Sequence, residues 1–158
     1  MRIRLAEPRD SEVATNVVRR SITELCRADH HDDWATLDMW LSNKTPTNIG
    51  LWIETQHVVV AIDDGNILGV AAMSKTGDAR LNYVVPEARL KGVSKAMMAN
   101  LEAKAIDLGL ERMVLDSTTT ARAFYLAAGY VSSGPSQPAF GLLISHPMHK
   151  VLSVPRSS

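Results

Sequence analysis

Apolar residues recur along this chain with two different periods, and the switches between them mark its elements. Ile3 and Leu5 alternate with Arg2 and Arg4, the period of two expected of a short strand with one face covered. Pro8 and Asp10-Ser11-Glu12 break that pattern with a loop and a helix start. Val13, Val17, Val18, Ile22 and Leu25 then follow at helical spacing, which predicts a helix running to about Cys26. A polar break, RADHHDD over 27–33, separates it from a second helical pattern of Trp34, Leu37, Trp40 and Leu41. Thr45 as N-cap and Pro46 at the first helical position start a further short helix.

From His57 the period changes again. The β-branched run HVVVAI (57–62), the tight-turn signal Asp63-Asp64-Gly65-Asn66 and the returning run 67–75 predict two antiparallel strands. Thr76-Gly77-Asp78 turns the chain into a third, 79–85, completing a meander that stops at Pro86. Val93, Met97, Leu101 and Leu108 restore helical spacing, with Gly109 as terminator. Arg112 to Asp116 is the next strand, Ser117 to Thr120 caps a helix that Gly129 ends, and Tyr130 opens another strand. A Ser, Gly and Pro loop (132–138) and a last apolar segment (142–152) follow. The fold class expected is α/β (α+β): a mixed, mainly antiparallel central sheet with helices on both faces. It forms one domain over 1–152, followed by a loose C-terminal tail, 153–158.

Composition narrows the function classes. A chain of 158 residues with 46% hydrophobic and 22% charged residues can bury a single core without disulfides or metal. Its 17 basic and 17 acidic residues cancel, which argues against nucleic acid as a partner. The lone Cys26 allows neither an internal disulfide nor a thiolate zinc cluster, and points to a reducing compartment. The adjacent His30 and His31 make a poor metal site, so no metal is expected. MRIRLAEPRD has no apolar stretch like that of a signal peptide, and the apolar runs elsewhere are too short to span a bilayer. A cytoplasmic protein with no membrane partner is expected.

The clearest chemical grammar lies in LNYVVPEARLKGVSKAMMANL, residues 81–101: strand, glycine loop, helix. Gly92 and Ser94 let backbone amides approach an anion, the first turn of a helix leaves its N–H groups without internal partners, and Arg89, Lys91 and Lys95 add positive charge. A pyrophosphate would fit. The same grammar also serves as a plain connector, and it lacks the Gly-Lys-Ser/Thr ending of a nucleotide-binding P-loop.

Two segments together carry a resemblance. Val84-Val85-Pro86 leads into Arg89-Leu90-Lys91-Gly92-Val93-Ser94, and Thr118 to Tyr130 reads TTTARAFYLAAGY. In this order and spacing the pair resembles the GNAT superfamily of acetyl-CoA-dependent N-acyltransferases, and the element order extends the resemblance over about 1–152. Ser94 stands where that family usually has Gly or Ala, and Thr118 where it often has Asn contacting the pantetheine arm. The resemblance implies acetyl-CoA as acyl donor, its pyrophosphate on the loop amides of Lys91, Gly92, Val93, Ser94, Lys95 and Ala96. Arg89 and Lys91 would hold phosphate charge, and the backbone of Tyr83, Val84 and Val85 would pair with pantetheine like an added strand.

It also implies transfer to a primary amine of a small molecule or protein by direct attack. Tyr125 is the implied general acid, its phenol remaining protonated at neutral pH because its reference pKa is about 10. Glu24 and the Asp29-His30 cluster between the first two helices are the expected acceptor-side residues, with Tyr83 a further lining candidate. His146 and His149 read as sheet or interface residues, and the three tryptophans as core or rim packing. A homodimer through the C-terminal strands is a possible assembly. A CoA-binding sensor without chemistry remains the alternative.

Overall fold

The computed structural model describes residues 1–152; the expected tail lies outside the described residues. Its elements are β1 (Arg2–Leu5), α1 (Ser11–Leu25), α2 (Arg27–His30), α3 (Trp34–Leu41), α4 (Pro46–Thr55), β2 (His57–Asp63), β3 (Asn66–Met73), β4 (Asp78–Val84), α5 (Val93–Asp107), β5 (Arg112–Ser117), α6 (Arg122–Ala127), β6 (Val131–Ser132), β7 (Gln137–Pro138) and β8 (Ile144–Val151). The strands lie in the order β1-β2-β3-β4-β5-β8-β6, with β7 paired to β8. Every pairing is antiparallel except β4 with β5, so the sheet is mixed and mainly antiparallel as its patterning predicts.

Helices cover both faces. Val17, Val18 and Ile22 of α1 are buried on one side, and Val93, Met97, Met98 and Leu101 of α5 on the other. Between them lie Val58 to Ala61 of β2 and Val70 to Met73 of β3, all essentially without exposure, which explains why these strands read as continuous apolar runs. Helix α5 sits close to the sheet because Gly69 has no side chain. A Cβ built there would lie 2.8 Å from Met97 Cε and 3.1 Å from Val93 Cγ1.

Some expectations are corrected. Val13 and Leu108, at helical spacing in the sequence, are exposed because α1 and α5 turn those positions to solvent. Trp34 is 74% exposed, neither core nor rim, whereas Trp40 is buried against His30 and Phe140. The polar break contains a one-turn helix, α2, whose chain then turns sharply through His31 and Asp32, both at positive φ.

Gly69→Val would force apart β3 and α5. We expect a loss of about 1–3 kcal/mol in unfolding free energy, measured by urea denaturation.

Candidate active site

The parallel pair β4–β5 joins through Asp78 with Val114 and Ala79 with Leu115, and then the strands part. Opposite β3, Ala72 pairs with Leu81 and Met73 with Ala79, so Arg80 is an extra residue, a bulge that bends β4 at this point. Above the bulge β4 keeps β3 on one edge and has no strand on the other. Val85 donates its amide to Leu68 O at 2.8 Å, so by alternation Tyr83 also bonds towards β3, while the amides and carbonyls of Asn82 and Val84 face the free edge. The expectation that Tyr83, Val84 and Val85 all offer backbone to a ligand is therefore shifted to Asn82 and Val84.

A narrow cavity of about 170 Å³ fills the fork. It runs from Arg89 past Asn82 to Thr118 and Tyr125. Tyr125, on α6, is 8% exposed, and Asn82 Nδ2 donates to its hydroxyl at 3.0 Å. The phenol oxygen is thus an acceptor in this bond, and its own proton remains free to be given away. Burial raises the Tyr125 pKa, and the Asn82 bond only partly opposes this, so the hydroxyl is protonated at neutral pH. Asn82 Oδ1 is buried beside it without a hydrogen-bond partner, an acceptor that a ligand in the fork would satisfy. Thr118 Oγ1 accepts from Ala121 N at 3.1 Å, and so caps the turn leading into α6 while lining the cavity.

At the other end of β4 the chain passes Pro86 and Arg89 and reaches the start of α5. Gly92 is the N-cap at φ 79°, a left-handed conformation that L side chains rarely adopt, and no side chain caps the helix. Ala96 N bonds Gly92 O at 3.1 Å, which removes Ala96 from the expected anion cradle. The amides of Val93, Ser94 and Lys95 precede that first helical bond and point out of the helix. Val93 contributes only its backbone, its side chain being buried against Gly69. Arg89, Lys91 and Lys95 are exposed around this terminus and Ser94 is half-buried.

The expected acceptor-side residues do not reach the fork as ligands. Glu24 lies outside, in an exposed ion pair with Arg20 at 3.2 Å, and Arg20 also reaches Glu87 at 3.1 Å. Asp29 is buried because it latches α2 onto the loop before α6, accepting from Thr120 N at 3.1 Å and Thr120 Oγ1 at 2.5 Å. His30 is fully buried: its Nε2 donates to Thr23 O at 3.2 Å and its Nδ1 accepts from Asp32 N at 3.0 Å, which fixes the tautomer and uses both nitrogens. Tyr83 is half-buried with its pKa raised, chiefly by desolvation. His146 and His149 lie on β8 as expected, bonded to Thr119 Oγ1 at 2.9 Å and Ser133 Oγ at 2.7 Å.

Across the sheet from Tyr125 a second, wider cavity of about 910 Å³ opens. Its floor includes Leu81, Val114, Asp116 and His149, and its wall comes from Lys44, Trp52 and Gln56 of the α3–α4 region. Both cavities are lined by Arg80, Leu81, Leu115 and Asp116, so they meet at the fork. Asn82, Asp116 and Lys44 carry no sequence motif. The first two could have been noticed as single polar residues inside or ending apolar strand runs, LNYVV and MVLD.

Residues 41–152 match the family model described as the acetyltransferase (GNAT) domain. The chain belongs to that family. Solved structures of similar fold include a GCN5-related N-acetyltransferase from Rhodopseudomonas palustris, at TM-score 0.86 and 21% identity over 96% of this chain and 95% of that one. The PaiA N-acetyltransferase of Thermoplasma acidophilum, solved in complex with coenzyme A, has TM-score 0.77 and 16% identity over 95% and 98% of the two chains. The yncA protein of Salmonella typhimurium, solved with acetyl-CoA, has TM-score 0.73 and 20% identity over 100% and 97%. No sequence match is found among curated proteins. Within this GNAT domain the fork between β4 and β5 is the feature around which the family segments 89–94 and 118–130 come together.

Asp29→Ala removes both charge-assisted bonds that latch α2 to the loop before α6; a loss of about 1–3 kcal/mol is expected, read by urea denaturation. Lys44 is 9% exposed, and desolvation lowers its pKa from 10.5 to about 8. The unfolded chain holds that proton to higher pH than the folded one, so the stability of the ligand-free protein should rise between about pH 8 and 10.5. Lys44→Met should flatten that rise in melting temperatures measured across the window.

Proposed function

We propose that this protein is an N-acetyltransferase that uses acetyl-CoA and delivers the acetyl group to a primary amine. The observation that carries the reading is the cavity in the fork, which follows the free edge of β4 at Asn82 and Val84 from Arg89 to Tyr125, with the free helix-start amides of Val93 to Lys95 a few residues beyond Arg89 in the chain. The amides and nearby Arg89, Lys91 and Lys95 suit a pyrophosphate. The β4 edge suits an extended chain bearing amides, held as an added strand. Bound there, acetyl-CoA would supply an activated thioester.

The chain's own groups match the proton movements that aminolysis needs. Tyr125, with its hydrogen unengaged and its oxygen fixed by Asn82, protonates the departing thiolate. Asp116, bordering both cavities, is placed to take the proton lost by the attacking amine, directly or through water. The wide cavity brings the amine to the fork from the face opposite Tyr125, so the two proton transfers occur on different sides of the sheet. Orientation by the strand edge and helix terminus contributes the remaining rate by holding the reacting atoms together.

Tyr125→Phe should leave the dissociation constant for acetyl-CoA nearly unchanged and lower kcat on the order of tenfold or more. Thiol release with acetyl-CoA and an amine panel reads kcat, and calorimetry reads binding. An unchanged kcat overturns the assignment of Tyr125, and tight CoA binding without turnover on any amine favours a sensor.

A further inference from the structure

Lys44 is the most unusual charged group in the wide cavity. It is 9% exposed, and no carboxylate lies within ion-pair distance of it among the described residues. Its Nζ donates to two neutral oxygens, Trp40 O at 3.3 Å and Asn43 Oδ1 at 2.6 Å, leaving a third hydrogen without a partner. Its pKa of about 8 still leaves the ammonium mostly charged at neutral pH.

This placement is built rather than incidental. Arg19 Nη1 donates to Leu41 O at 2.9 Å and to Lys44 O at 3.0 Å, pinning the turn that carries the lysine. Asn48 Nδ2 donates to Asn43 O at 3.0 Å and holds the neighbouring residue. A lysine free to choose would extend its ammonium into water. Here the surrounding bonds hold it in the cavity wall, with no protein carboxylate within ion-pair distance among the described residues.

The strand floor carries both signs: Asp78 faces Arg80 at 3.5 Å, Arg112 lines the floor as well, and Asp116, in no ion pair among the described residues, lies where the two cavities meet. One cavity therefore presents a buried cation from its helical wall and an unpaired carboxylate at the fork, a combination complementary to a molecule with both charges. A simple polyamine would leave Lys44 facing like charge.

Resting on the acetyltransferase reading above, we propose that the acceptor is a small amine that also bears a carboxylate, bound by the Lys44 ammonium while its amino group reaches Asp116. Lys44 thus sets acceptor specificity and takes no part in the chemistry.

The test pairs the common L-amino acids, β-alanine and γ-aminobutyrate with their carboxamides. Turnover is followed by thiol release, and binding to the CoA-loaded protein by calorimetry. The carboxylate-bearing members should be favoured in kcat/KM on the order of tenfold, mostly through KM. Lys44→Met should bring that preference close to unity, and Lys44→Arg should restore part of it. Equal kcat/KM for acids and carboxamides, or a preference that survives in Lys44→Met, overturns the inference while leaving the transferase reading intact. Lys44-dependent binding of the acids without turnover of any amine sustains the inference and removes the transferase reading. Absence of both binding and turnover overturns both.

Discussion

The brief parallel contact between β4 and β5 is the constraint on which the rest of this molecule depends. A sheet that continued to pair there would satisfy more backbone groups and have no site. Pairing stops after Ala79 and Leu115, the bulge at Arg80 bends one strand away, and the groups of Asn82 and Val84 are left facing an empty edge. Exposed strand edge is ordinarily a liability. Here it is confined to a narrow cavity, and Tyr125, Thr118, Leu25 at the end of α1 and Cys26 just after it enclose it. Cys26 is inert in this setting, because burial raises its pKa to about 12 and keeps the thiol protonated.

Around that fork the elements divide their work by face. Helix α5 supplies free amides at its start and a core-packing side further along, an arrangement that needs both Gly92 at positive φ and the missing side chain of Gly69. Helix α6 delivers one hydroxyl, oriented by a single amide. Helices α3 and α4 do not line the fork's narrow cavity; they build a wall on the other face, with charge held inside it by the Trp40 carbonyl and the Asn43 side-chain oxygen.

The fold was legible because its signals are local. Alternation, helical spacing and the turn residues at 63–66 and 76–78 depend on neighbours within a few positions, and they located all the long elements. The donor half of the site was legible for the same reason, since residues 89–94 and 118–130 are contiguous segments. The other half was not. Asp29 reads as an acceptor-side residue until Thr120, 91 positions away, comes to meet it, and His30 reads likewise until both ring nitrogens are seen to be occupied. Lys44 is ordinary in sequence, and the turn that carries it is pinned by Arg19, whose guanidinium meets its carbonyl across 25 positions. Asn82 is concealed as one polar letter in an apolar strand, where period alone cannot say what its amide meets.

The latch between Asp29 and Thr120 has a kinetic counterpart. It spans 91 residues, and the bond from Leu142 N to Thr36 Oγ1 spans 106, whereas the β2–β3–β4 meander closes through short turns. Contacts so distant in sequence bear the largest loop-closure entropy and form after the local ones. The meander and α5 can assemble while the fork is still open, before the latch between Asp29 and Thr120 closes. A nascent chain that has not yet reached α6 would therefore own the free amides at the start of α5 before it owns the Tyr125 hydroxyl.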